Sequence, residues 1–250
     1  TLSAQLGLAR APGNPRVVHL LDMDGTQDSD LLFTVGAGGL FVLRPSDDSF
    51  EILSQSNQFG LRGSFDKVSV LDDGLVAISS RNRGLSLVDA STPSTLRTIQ
   101  APDVDTPAGM DWSAPHLYVT SHLGQVTVLD VSDPDDVVVL GRVDGLGNPW
   151  AIHVEGQRAY VADNTLGLVV LDVSSPETPR IVRTVDTVGG AQDLWLDGDT
   201  LYVAVGSAGV EAFSMVDPDN PAPVSIIDVG SAIVSVRPCP HCRRVSSNYG

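Results

Sequence analysis

An all-β fold of about six four-stranded blades, a β-propeller, is predicted by three features of the sequence. One phrase recurs: an apolar alternation, a short loop, a glycine, a second apolar alternation ending in Asp, then a turn of Ser, Pro and Asp. Its clearest copies run from Ala159 to Pro176 and from Leu117 to Pro134; Leu201 to Pro218 is a third, with weaker copies from Leu31 to Pro45 and from Leu75 to Pro93. The anchoring glycines Gly39, Gly84, Gly124, Gly167 and Gly209 are 45, 40, 43 and 42 residues apart. Between them the apolar residues alternate in twos and are largely β-branched, whereas helical repeats would space them by three and four.

The fourth copy fixes the order of elements within a unit. Strand A is read as Ala151 to Glu155, strand B as Ala159 to Ala162, strand C as Leu168 to Val173 and strand D as Arg180 to Val185. The turn after strand C holds Asp and Ser, which bond nearby amides, and Pro, which fixes φ and so aims the outer strand. Extending the pattern gives five complete blades at 17–57, 65–100, 107–144, 149–187 and 190–229. Residues 1–16 read as the outer strand of a partial blade, because Leu6 to Pro15 parallels Leu140 to Pro149; residues 231–250 read as inner strands of another. The whole chain, 1–250, is then a single propeller domain in which the partial pieces pair, or part of a longer array. The absence of an initial methionine at Thr1 suggests a processed or excised segment.

Composition narrows the partners. With 15 Lys+Arg against 31 Asp+Glu the net charge is -16, which repels phosphate backbones and anionic lipid and argues against nucleic acid as a partner. No apolar run approaches the roughly 20 residues of a spanning helix, so membrane insertion is not expected. Lys67 is the single lysine, and the acids are nearly all Asp. With two neighbouring cysteines, no disulfide framework holds the fold, so strand patterning must supply the core.

The phrase Leu-Val-Val-Leu-Asp-Val-Ser-Ser-Pro at 168–176, with its sister copies, resembles the LVIVD repeat. The first unit departs from it at Leu40 to Pro45, where the Asp is missing, and the fifth at Phe213 to Pro218. The resemblance implies a bacterial or archaeal cell-surface or secreted β-propeller, hence an extracellular or cell-surface location.

Two local motifs could carry chemistry. Asp22, Asp24, Asp28 and Asp30 lie within nine residues between strands A and B of the first unit; alternating carboxylates around a glycine suit a hard cation, with calcium as the cofactor, and the alternative is a solvated acidic hairpin turn. The stretch is similar to the Asp-x-Asp-Gly loops of FG-GAP-type propellers, with Thr26 and Gln27 in place of Asp-Gly. Cys239 and Cys242, separated by Pro240 and His241, sit in the equivalent loop of the last unit. Strand flanks argue against a helix-activated redox pair, and a zinc site needs further ligands, which leaves a local disulfide or a free thiol pair.

Loops joining strand D to A and strand B to C share one mouth of a propeller. They bring together Asn14, Arg62, Arg81, Asn82, Arg83, His122, Asn148, Trp150, Asp163, Asn164 and Gln192. Of these, Arg62, Arg81, Arg83, His122, Trp150, Asp163 and Asn164 are the binding candidates, because arginines beside Trp and Asn can hold a carboxylate, a sugar or a peptide terminus. No nucleophile elbow occurs, and no catalytic residue is assigned. His19 and His153, at equivalent strand A positions, read as packing or blade-to-blade hydrogen bonding. The expectation is a non-catalytic scaffold or binding module for a protein, peptide or carbohydrate; the alternative is a metal-assisted hydrolase or lyase using Asp111, His122 and Asp163 in the central channel.

Overall fold

Each copy of the phrase folds as four strands in sequence order. The computed structural model describes residues 17–18, 32–36, 39–46, 49–56, 67–71, 74–81, 83–92, 94–228 and 230–236. Among them, the first sheet comprises β1 (Val17–Val18), β2 (Leu32–Gly36), β3 (Gly39–Ser46) and β4 (Ser49–Ser56), and the second β5 (Lys67–Val70), β6 (Leu75–Ser80), β7 (Gly84–Asp89) and β8 (Arg97–Ile99). The third has β9 (Pro107–Ser113), β10 (His116–Ser121), β11 (Gln125–Asp130) and β12 (Val138–Asp144); the fourth β13 (Pro149–Glu155), β14 (Arg158–Asp163), β15 (Gly167–Asp172) and β16 (Arg180–Val185). The fifth has β17 (Asp193–Asp197), β18 (Thr200–Ala204), β19 (Val210–Ser214) and β20 (Ala222–Ile227). Every sheet is an antiparallel meander, so the five form the blades of an all-β propeller.

In the second to fourth sheets the middle strands are apolar on both faces, because each of these sheets lies between two neighbours. Strands β6 and β15 are buried at every position, whereas the outer strand β20 is exposed throughout. The core is divided among the seams. Leu40 and Val42 pack on Val76, Ile78 and Val88 between the first two sheets, and Leu87 and Ile99 meet Leu117 and Leu129 between the second and third. Val126 and Val128 meet Ile152 and Val169 at the next seam, and Leu168 and Val170 meet Leu194, Val203 and Phe213 at the last. Strand A residues Ile152 and Leu194 thus stack between blades, and Val70 packs at the margin of the first seam.

The turn chemistry repeats too. Asp89, Asp130 and Asp172 at the ends of β7, β11 and β15 accept the amides of Ser91, Ser132 and Ser174, at 3.0, 2.9 and 3.0 Å. A backbone bond then closes each turn, such as Thr178 N to Ser175 O at 3.0 Å and Asn220 N to Asp217 O at 3.0 Å. The pairing of strands C and D slips by one residue at the same place in four sheets, between Val42 and Leu43, Val128 and Leu129, Val170 and Leu171, and Ala212 and Phe213. Such a bulge increases the local twist of the outer strand. The anchoring glycine is dictated by backbone: Gly167 has φ +86°, and a Cβ there would stand 2.6 Å from Val185 O.

Asp22, Asp24, Asp28, Asp30, Arg62, Cys239 and Cys242 lie outside the described residues, as do residues 1–16 and 237–250. Beyond the fifth sheet, Ile233 makes a bridge to Gly206, with Gly206 N to Ile233 O at 3.2 Å and Ile233 N to Gly206 O at 2.9 Å. No helix among the described residues is long and apolar enough to cross a membrane.

Candidate binding site at the loop mouth

The loops after β6, β10 and β14 put Arg81, His122 and Asn164 at one position in successive blades. An Arg81 guanidinium nitrogen lies 2.9 Å from His122 Nε2, and His122 Nδ1 lies 2.9 Å from Asn148 Oδ1. A guanidinium only donates. Nε2 therefore accepts, the ring proton sits on Nδ1, and it is donated to the Asn148 carbonyl oxygen. The edge of His122 also meets Trp150, with ring centroids 5.4 Å apart and planes at 80°. Arg81 from the second blade, His122 from the third and Asn148 and Trp150 from the fourth thus form one cluster. Arg81 and Arg83 are exposed at its rim, while His122, Asn148, Trp150 and Asn164 are half-buried.

Asp163 has a different task from the ligand contact expected of it. It is fully buried, and its carboxylate accepts the amides of Gly147 at 2.8 Å, Asn148 at 2.9 Å, Thr165 at 2.8 Å and Leu166 at 2.9 Å. Those amides converge because strand A of the fourth blade enters beside the end of strand B, leaving two loops with donors aimed inward and one acceptor between them. Asp163 therefore positions Asn148, and through it His122. Asn164 is held against Gly190, where a Cβ would stand 2.7 Å from the Asn164 Nδ2. The indole Nε1 of Trp150 and the Oε1 of Gln192 are buried polar atoms with no hydrogen-bond partner. Such atoms carry an unmet cost that a bound polar group or water would relieve.

Deeper in the propeller, the first strands of the second and fifth blades are joined by Lys67 Nζ to Asp193 Oδ1 at 3.9 Å. These blades are separated by two others, so the array curls far enough for one lysine to reach across. Gly109 and Ala151 occupy the equivalent positions between them and leave the path open. The other Asp193 oxygen accepts the Ser235 hydroxyl at 2.7 Å and the Val236 amide at 3.1 Å.

The residues considered for channel chemistry are committed elsewhere. Asp111 Oδ2 accepts the Val154 amide at 2.6 Å and faces His153 Nδ1 at 3.1 Å, a blade-to-blade contact. His122 belongs to the mouth and Asp163 to its loop amides. Among the described residues no group of three or more His, Cys, Asp or Glu side chains is arranged to hold a metal ion.

The opposite face is laced by ion pairs that periodicity does not reveal. Arg97 bridges Asp89 at 3.2 Å and Asp135 of the next blade at 2.5 Å, while Arg158 bridges Asp172 at 3.2 Å and Asp219 of the next blade. The hydrogen bond from Arg180, with those from the Ser174 hydroxyl and amide, holds Asp172 far below the usual carboxylate range. The Ser91 hydroxyl and amide lower Asp89, those of Ser132 lower Asp130, and Arg158 lowers Asp219.

The LVIVD repeat family matches residues 146–187 and 188–222. No curated protein matches the sequence. A crystal structure of a functionally unknown protein from Desulfotomaculum acetoxidans has 15% identity and a TM-score of 0.68 over 80% of this chain and 67% of that one. The periplasmic gluconolactonase PpgL of Pseudomonas aeruginosa has 16% identity and a TM-score of 0.65 over 81% and 68%. Chaetomium thermophilum Sqt1, solved bound to the N-terminus of ribosomal protein L10, has 15% identity and a TM-score of 0.64 over 82% of this chain and 61% of its own. At such identities the likeness is one of fold alone. The strand order, the recurring turn and the family match agree: the chain is a β-propeller that carries LVIVD repeats at residues 146–187 and 188–222.

Proposed function

We propose that the chain is a non-catalytic binding module of an exported, cell-surface protein, and that its loop mouth takes a carboxylate of a protein or peptide ligand. One observation carries the reading: side chains from three blades meet in the Arg81, His122, Asn148 and Trp150 cluster, with the guanidinium exposed at its edge. An Arg presented on a fixed acceptor binds a carboxylate by paired charge-assisted bonds. Leu123 and Val188, 70% and 51% exposed on loops of the same face, add the apolar area that protein contacts use. Propeller-fold neighbours include both a lactonase and a protein bound to a peptide terminus, so the fold does not choose between catalysis and binding. The side chains favour binding, since Asp111, His122 and Asp163 have separate partners. The surface location rests on the kinship of the repeat, and calcium on the acidic sequence from Asp22 to Asp30.

The test is calorimetric titration with acetylated Ala-Leu-Val bearing a free carboxylate, against its C-terminal amide. The acid is expected to bind saturably and the amide about tenfold or more weaker, with Arg81→Ala abolishing the difference. Equal binding of acid and amide, or an Arg81→Ala variant that still distinguishes them, would overturn the proposal.

A further inference from the structure

The repeat places Tyr118, Tyr160 and Tyr202 at one position of strand B, opposite Asp111, His153 and Trp195. Tyr118 and Tyr160 are buried, each in the core shared with the following blade. The Tyr160 hydroxyl donates to the carbonyl of Pro218 in that blade's C–D turn, at 3.4 Å. In the second blade the same position, opposite Ser69, is Ala77. Two residues earlier, where the fourth blade has Arg158, it has Leu75. The seam between the second and third blades therefore lacks the ring, and the guanidinium that joins its carboxylates comes from Arg97 of strand D, not from strand B.

A groove of about 450 Å³ lies along this seam. Its walls are Leu75, Trp112, Pro115, Val131 and Pro134, with Asp89 at one edge. Pro134 is the counterpart of Pro218, which accepts the tyrosine hydroxyl two blades on. Exposed Asp133 and Asp135 flank Pro134, and Asp136 follows. Arg97 is already shared by Asp89 and Asp135, leaving a carboxylate excess along the rim.

We infer that this groove is a second binding site, distinct from the mouth, which takes an aromatic side chain of a basic partner segment. An aromatic ring is the group the repeat itself places along such a seam, and Trp112 with two prolines gives it flat apolar surfaces. Lysine or arginine beside that ring meets Asp133 and Asp135, so the rim favours a cationic segment over the acidic or carboxylate ligand of the mouth. The two sites thus read opposite charge on opposite faces of the propeller.

The probe is acetylated Lys-Tyr-Lys amide, which has no carboxylate for the mouth. Calorimetry is expected to show saturable binding that falls about tenfold or more when the probe's Tyr is replaced by Ala. Leu75→Arg, the residue the fourth blade carries at this position, should abolish binding, at some cost in melting temperature because Leu75 is buried. Asp133→Asn with Asp135→Asn, both at exposed positions, should weaken the probe severalfold in a folded protein, and decides the matter if Leu75→Arg fails to fold. No saturable binding, indifference to the Tyr to Ala change, or undiminished affinity in both variants would refute the site.

Discussion

Replacing Asp163 by alanine tests whether the mouth is organised from beneath. The carboxylate is fully buried and accepts four backbone amides at 2.8 to 2.9 Å. A hydrogen bond to a charged group contributes about 1.5–3 kcal/mol, and each donor stranded by the substitution costs about 1–3 kcal/mol unless water replaces the acceptor. The loops are half-open, so water will serve some of the four. A net loss of about 3–5 kcal/mol follows, at the upper end of single-residue effects. For a domain of this size each kcal/mol is worth about 2–4 °C, so the melting temperature should fall by about 10 °C. Asp163→Asn, which keeps one acceptor oxygen, should lose roughly half as much. Calorimetric melting of the three proteins at neutral pH is the assay, with titration of the free-acid peptide as a second readout, because Asn148 loses its anchor. A fall below about 2 °C for Asp163→Ala would mean that Asp163 does not hold the two loops together, since four stranded amides cost more than that.

Three further outcomes are expected. Gly167→Ala should destabilise by about 2–4 kcal/mol, because the residue combines a left-handed backbone with a carbonyl 2.6 Å from the new Cβ; unchanged denaturant unfolding would contradict this. Carboxylates held low in the folded state stabilise it above their unfolded value, near pH 3.9, and that contribution is lost as pH falls through the folded values. Melting temperature should therefore drop steadily below about pH 4, and Asp172→Asn, which removes the most strongly lowered group, should flatten the profile. Calcium should raise the melting temperature and chelator lower it, with Asp24→Ala abolishing the difference; identical melting in both would remove the metal from the account.

The repeat was legible because its signals are local. Strand D of the fourth unit, read as Arg180 to Val185, is β16 with the same limits, and each anchoring glycine from Gly84 onward has positive φ. The mouth was partly legible: knowing that D–A and B–C loops share a face nominated Arg81, His122 and Trp150, which do meet. What could not be read was partnership between blades. Nothing in a period near 42 residues pairs Asp111 with His153, Arg158 with Asp219 or Lys67 with Asp193, since these depend on how far successive sheets rotate. The backbone role of Asp163 is hidden for a related reason. Its counterpart Ser121 bonds a carbonyl in the third blade, so alignment gives no hint that in the fourth a carboxylate gathers amides. The one available signal was its place at the end of a strand buried at nearly every position.

Recognition of a ligand carboxylate at the mouth can be read from the indole region of an ¹⁵N–¹H spectrum. The chain has three tryptophans, which stand in three places: Trp150 at the mouth, Trp112 in the groove between the second and third blades, and Trp195 on the inner strand of the fifth. With each signal assigned by Trp to Phe substitution, adding the free-acid peptide should shift the Trp150 indole in a saturable way, leave Trp112 and Trp195 in place, and do neither in Arg81→Ala. A shift confined to Trp112 or Trp195, or one that persists in Arg81→Ala, would contradict the assignment of the mouth.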